Sequence, residues 1–97
     1  MSILAHRIVE IKTEESYESF NLWADEKLMG FLDGEANFFS QLTNDGTGVT
    51  CVSVKVLEKA VEKADKLELD SDTVENLKKD IEWAKAHEEV VIQYYCY

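Results

Sequence analysis

Proline is absent from this 97-residue chain, and glycine occurs only four times. The lack of proline excludes polyproline segments and proline-rich ligand motifs. With so few glycines, most of the chain is expected to form regular elements. At 45% hydrophobic residues the sequence is too apolar for a disordered protein, and its length allows one modest core. A single compact domain over residues 1–97 is therefore predicted.

Long hydrophobic runs are also missing. Apolar runs such as Val90–Ile92 are far shorter than the roughly 20 residues that a membrane-spanning helix needs. The apolar stretch in Met1–Val9 is interrupted by His6 and Arg7, unlike the apolar core of a signal peptide. We therefore expect no membrane association and a cytoplasmic location.

Cysteine and histidine are scarce, with two of each. Two cysteines are too few for a disulfide scaffold. The spacing of the cysteines and histidines in the sequence matches no metal-binding motif: His6, Cys51, His87 and Cys96. Asp70–Asp72 resembles the start of a calcium loop, but Glu75 occupies the position where that loop requires glycine. No metal and no cofactor are predicted.

Catalytic motifs are absent as well. Neither a Gly-x-Ser-x-Gly nucleophile turn nor a phosphate-binding loop is present. Cys51 lies between apolar residues, which predicts an inert, buried side chain rather than a nucleophile. Pairs of carboxylates are too numerous to single out an acid–base pair. The sequence therefore predicts that the protein is not an enzyme.

Positive charge is in short supply, since 10 basic residues face 20 acidic ones and the net charge is −10. Nucleic acids and anionic lipids are bound largely through lysine and arginine. Direct binding to either is therefore not expected. A protein partner with a basic surface is favoured, and its association should depend on salt. The alternative is that the acidic residues serve only solubility.

The first half of the chain predicts a strand, a connection and a helix. Apolar and β-branched residues alternate over 2–12, which is typical of a strand. Residues 13–21 are polar and form a connection, and Asn21 is the predicted cap of a helix that ends near Leu32. Residues 36–52 fit either a helix followed by a short strand or a hairpin.

The second half predicts two helices and a strand. Ser53 can cap a helix from about Val54 to Leu67, and Asp72 with Glu75 forms a capping-box pattern at the start of the next helix. Residues 89–97 are β-branched and aromatic and predict a final strand. The predicted fold class is α+β, with about three α-helices packed on a small, mostly antiparallel sheet that includes the N- and C-terminal strands.

The excess acidity is concentrated in residues 14–35, where aromatic residues are interspersed. We expect this region to bind the partner through its carboxylates and two aromatic side chains: Glu14, Glu15, Tyr17, Glu18, Trp23, Asp25, Glu26, Asp33 and Glu35. The alternative is that the aromatic side chains fill the core and the acids merely face water.

These patterns predict a small, acidic, non-enzymatic binding protein that engages a basic protein surface. An inhibitor or immunity-type protein that covers a nucleic-acid-binding surface by charge mimicry would fit, and the composition is similar to that of many small phage or mobile-element proteins. The alternative is a structural module that forms a homodimer through residues 89–97. That segment contains no proline or lysine to protect a sheet edge from pairing.

Overall fold

The computed structural model describes residues 2–7, 9 and 12–97. This part of the chain contains three α-helices, one 3-10 helix and two strands. In chain order these are α1 (Glu26–Ala36), the 3-10 helix (Phe38–Gln41), β1 (Gly48–Ser53), α2 (Val54–Glu62), α3 (Ser71–Ala86) and β2 (Val91–Cys96).

The sheet of the described residues consists of β1 and β2, which pair antiparallel from Gly48 opposite Cys96 to Ser53 opposite Val91. Alternate side chains point to opposite faces of a strand. Accordingly Val52 and Ile92 are buried on the inner face, whereas Val91 and Tyr95 remain partly exposed. Helices and an antiparallel sheet make an α+β fold, so the predicted fold class is confirmed.

Among the described residues, the partner of the C-terminal strand is β1 and not the strand predicted over residues 2–12. Residues 2–7, 9 and 12 carry no strand, while Ile8, Glu10 and Ile11 lie outside the described residues. Ile3 and Val9 are 99% and 87% exposed. Alternation of apolar and polar residues is a local pattern, and it does not determine which strand will be available as a partner. Strand β2 pairs with β1 instead.

Within residues 36–52 the structure agrees with the helix-plus-strand alternative, because a 3-10 helix precedes β1. The buried Thr50 hydroxyl donates a hydrogen bond to the Phe38 carbonyl at 3.0 Å. This bond holds the 3-10 helix against the strand.

The first helix begins later and ends later than predicted. The Asn21 side chain accepts hydrogen bonds from the N–H groups of Trp23 and Ala24, so it organises a turn before the helix instead of capping it. The helix begins at Glu26 and continues through Gly34 to Ala36. It ends at Asn37, whose φ of 53° is the left-handed conformation common after a helix.

The caps of the other two helices agree with the predicted ones only in part. Ser53 accepts a hydrogen bond from the Val56 N–H, as predicted, but α2 ends at Glu62 rather than near Leu67. The cap of α3 is Asp70, which accepts from the Thr73 N–H at 2.8 Å, and not Asp72. Both aspartates precede the same apolar stripe, and local spacing does not distinguish them.

The core lies between the sheet and the three helices. Its largest fully buried apolar side chains come from every element except β2: Leu28, Leu32, Phe38, Val52, Leu57 and Leu77. Helix α3 packs against both α2 and β2. Among the described helices, none has the length and apolar character required to cross a membrane.

Candidate functional site: an acidic cleft along strand β2

A cleft of about 1180 Å³ lies on one side of the described part of the chain. It is bounded by the irregular segment of residues 13–24, which we call the acidic segment, and by strand β2. Helix α3 contributes Asp80 and Trp83 to its wall. The cleft therefore joins the acidic region of the sequence to the C-terminal strand.

A buried carboxylate anchors the acidic segment. Asp80, only 9% exposed, accepts hydrogen bonds from the hydroxyls of Tyr17 at 2.5 Å and Tyr94 at 2.8 Å. Desolvation by burial and the adjacent carboxylate raise the pKa of both Tyr17 and Tyr94 well above the ordinary value. Both hydroxyls therefore remain protonated donors, and one aspartate links the acidic segment, α3 and β2.

Further contacts hold the acidic segment in place although it has no regular structure. The Asn76 side-chain amide donates a hydrogen bond to the Glu18 carbonyl at 2.8 Å. The Phe20 ring packs edge-on against Phe38 and Tyr94, at centroid distances of 5.8 and 4.9 Å. Helix α3, the core and β2 thus fix where the carboxylates of this segment lie.

All three carboxylates of this segment are exposed beside the cleft: Glu14, Glu15 and Glu18. The hydroxyl and N–H of Ser16 donate to the Glu14 carboxylate and lower the pKa of Glu14, which keeps that group ionised. Ion pairs among the described residues involve Glu35, Glu58 and Glu68, and none involves these three glutamates. Their charge faces solvent.

Exposed aromatic side chains border the same cleft. Trp23 is 86% exposed, Tyr97 is 80% exposed and Trp83 is 51% exposed. The rings of Tyr95 and Tyr97 stack with centroids 5.0 Å apart. Large aromatic side chains that face water beside a concavity are typical of interaction surfaces.

The predicted site residues separate into two groups. Five of them line the cleft: Glu14, Glu15, Tyr17, Glu18 and Trp23. Asp25 lies in an adjacent groove of about 530 Å³, where Glu18 also contributes. The other three lie away from both concavities: Glu26, Asp33 and Glu35.

Two of these outlying acids have local roles. The Asp33 carboxylate accepts the N–H of Phe39 at 3.0 Å and so caps the start of the 3-10 helix. The Glu35 carboxylate lies 3.9 Å from the Lys59 ammonium. The candidate site is therefore smaller than the predicted region and centres on the acidic segment.

The alternative that the aromatic residues fill the core is correct for part of the set. Phe38 is fully buried and Phe20 packs against it, whereas Trp23 faces water. Tyr17 is partly buried. Its hydroxyl donates a hydrogen bond to Asp80, and the Lys79 ammonium lies 5.1 Å from its ring centroid. Tyr17 positions its acidic neighbours as well as lining the cleft.

Sequence reasoning missed Asp80, Trp83 and β2 as parts of this site. A signal for Asp80 was present, because it lies three residues after Leu77 on the face of α3 that carries the apolar stripe. A carboxylate on such a face requires hydrogen-bond partners. For Trp83 and β2 no comparable local signal exists.

Among the described residues, no group of three or more His, Cys, Asp or Glu side chains is arranged to hold a metal ion. Both cysteines are free thiols, and burial raises the pKa of Cys96.

Comparisons with protein families, with curated proteins and with solved structures gave no match. Any functional proposal must therefore be based on the cleft itself.

Proposed function

We propose that this chain is a non-enzymatic binding protein whose acidic cleft engages a basic protein surface. The observation that carries the proposal is the juxtaposition of exposed carboxylates and exposed aromatic side chains around one cleft. Carboxylates attract lysine and arginine over long range, and aromatic rings supply contact area and cation–π interactions once the partner has docked.

The fixed position of the acidic segment supports this proposal over solubility alone. Charges that serve only solubility need no defined arrangement, whereas Glu18 belongs to a segment held by Asn76 and by the Tyr17–Asp80 hydrogen bond. Restricting these groups before binding lowers the conformational entropy lost on association. In the most specific form of this proposal, the partner is a nucleic-acid-binding protein whose basic surface the cleft covers.

Charge reversal tests the proposal. The variant Glu14→Lys/Glu15→Lys/Glu18→Lys should fold normally, because surface changes cost under about 0.5 kcal/mol each. It should associate more slowly with an arginine-rich synthetic peptide and show a weaker salt dependence, measured by stopped-flow fluorescence of the tryptophans.

The matched control is Glu62→Lys/Asp65→Lys/Glu82→Lys, which has the same net charge and places all three changes at exposed positions outside the cleft. The control should retain faster association than the cleft variant. Equal rates and salt slopes for the two variants would show that net charge alone acts, and the proposed site would be wrong.

A second candidate function is self-association through β2, and the free edge of that strand favours it. Within the described residues β2 pairs only with β1, and its segment has no lysine or proline. Unprotected edges of this kind are sites of strand pairing between chains.

A further inference from the structure

The outward-facing backbone of β2 can be identified from the pairing. The Val54 N–H donates to the Val90 carbonyl at 2.9 Å, next to the Ser53–Val91 pair of the ladder. Hydrogen-bonded and non-hydrogen-bonded pairs alternate in an antiparallel ladder. Val91, Gln93 and Tyr95 therefore direct their N–H and C=O groups away from β1.

The cleft reaches this edge, which has no strand partner among the described residues. Its lining includes the consecutive residues 92–97. Consecutive side chains of a strand point to opposite faces, so a cleft that touches all of them reaches the edge of the strand as well as its faces. The lining also includes residues 44–47 and Val49 at the start of β1. The backbone groups of Gln93 and Tyr95, which have no partner among the described residues, thus face a cleft that the acidic segment also lines.

The two walls offer different kinds of recognition. Residues 90–97 contain no charged side chain, so β2 offers backbone hydrogen bonds and aromatic rings. The acidic segment offers the carboxylates of Glu14, Glu15 and Glu18. An extended chain with basic side chains is complementary to both walls at once.

We infer that the cleft binds an extended, arginine- or lysine-rich segment of the partner as a third strand on β2. The inference rests on the proposed function and specifies its binding mode. Backbone pairing supplies affinity, and the acidic segment selects basic side chains.

Charge favours this occupant over a second copy of the chain. Two copies paired through β2 would bring two acidic segments to one interface, and each chain carries a net charge of −10. Like charges at an interface oppose association, whereas a basic strand removes the repulsion.

The first test separates backbone pairing from charge. Binding of an eight-residue peptide of alternating arginine and valine is compared with that of the same peptide carrying N-methyl groups on its central amides. Methylation keeps the charge and removes the backbone donors. We expect it to weaken binding about tenfold or more.

Equal affinity of the two peptides would overturn the third-strand mode and leave the proposed function intact. Failure of both peptides to bind at low salt would overturn the mode and the proposed function together.

The second test acts on the protein. Gln93→Pro removes an N–H that points away from β1, and proline is tolerated at such edge positions. This variant should bind the unmethylated peptide about tenfold or more weakly, while Gln93→Thr, which keeps the N–H, should bind like the parent. Parental affinity of Gln93→Pro would overturn the inference.

Hydrogen exchange gives a readout that does not depend on any variant folding. On addition of the unmethylated peptide, the amides of Gln93 and Tyr95 should become protected, while the Cys51 amide on the opposite edge should not. Protection of Gln93 and Tyr95 that rises with protein concentration alone would identify a second copy as the occupant and contradict the inference. Unchanged exchange on peptide addition would contradict it too.

Discussion

At the scale of single residues, Asp80 links more of the structure than any other polar side chain at the cleft. Its two oxygens accept from Tyr17 and Tyr94, which lie 63 and 14 positions away in the sequence. Hydrogen bonds to a buried charged group stabilise more than neutral ones do, and a missing acceptor leaves the buried tyrosine hydroxyl unsatisfied.

Replacing Asp80 should therefore be costly. Asp80→Ala is expected to lower the free energy of unfolding by about 2–4 kcal/mol, because both hydroxyls lose their acceptor and a cavity forms. Urea denaturation followed by circular dichroism measures the change. Asp65→Ala, at an exposed position, should stay within about 0.5 kcal/mol of the parent. A similarly small effect at Asp80 would show that the shared carboxylate does not stabilise the fold.

The raised pKa values of Tyr17 and Tyr94 predict that the folded protein loses stability at alkaline pH. Burial and the Asp80 carboxylate raise the pKa of Tyr17 and Tyr94 in the folded state, so the native protein holds these protons more tightly than the unfolded chain does. Their contribution is complete below the unfolded pKa of about 10 and is lost as the pH rises through the higher folded values.

Unfolding in urea at pH 8 to 11 should accordingly show stability falling above about pH 10. In Tyr17→Phe/Tyr94→Phe the dependence on pH in this range should be weaker, because the two ionising hydroxyls are gone. An unchanged slope in the double variant would assign the alkaline loss to other groups.

At the scale of elements, the start of α3 depends on one side chain among several candidates. Asp70 accepts the Thr73 N–H, and hydrogen bonds to Thr73 lower the pKa of Asp70. A side-chain oxygen at this position satisfies a backbone N–H that the helix leaves without a partner.

Paired substitutions at the helix start distinguish the two aspartates. Asp70→Ala should destabilise the protein more than Asp72→Ala does, through loss of the cap. Asp72→Ala should cost only a few tenths of a kcal/mol, since Asp72 lies in the first turn and interacts with the helix dipole alone. Thermal unfolding measures both. The reverse order of effects would place the cap at Asp72, as the sequence pattern predicted.

The irregular acidic segment shows how an element without secondary structure acquires a defined position. Local hydrogen bonds hold its turns. The Thr13 hydroxyl donates to the Glu15 carboxylate, and the Trp23 N–H donates to the Asn21 side chain. Its placement on the molecule depends on long-range contacts of Tyr17, Phe20 and the Glu18 carbonyl. The local bonds fix the shape of the segment, and the long-range contacts fix which side chains face the cleft.

At the scale of the whole molecule, the net charge and the edge of β2, which is unpaired among the described residues, have opposite effects on association. The net charge of −10 drives chains apart and draws a basic partner in, whereas the uncharged edge of β2 favours pairing with any strand. Salt screens the charge with a length of about 10 Å at 0.1 M and leaves backbone pairing largely unaffected.

Sedimentation at two salt concentrations should separate these effects. At low salt and micromolar concentration we expect a monomer of 11.1 kDa. Raising the salt concentration should increase the fraction of chains present as a dimer and weaken the binding of an arginine-rich peptide. A dimer that dissociates as salt rises would mean that opposite charges hold the chains together, and self-association through β2 would not explain it.

The sequence by itself determined the features whose causes are local. Period-3.6 apolar stripes predicted α2 and α3, the β-branched and aromatic run predicted β2, and Ser53 was identified as a cap from its position alone. Helix hydrogen bonds and caps join residues no more than about four positions apart, so the information lies within a short window. The α+β class follows from these elements.

Tertiary structure alone decided which distant segments meet. The alternation in residues 2–12 was as strand-like as that of residues 48–53, yet β1 is the strand that pairs with β2, across some forty residues of intervening chain. The same holds for the cleft, which Glu14, Glu15 and Glu18 line together with β2 while Asp33 and Glu35 do not. Such pairings depend on how the whole core packs, because burial is shared among all elements at once and no local pattern encodes the partner.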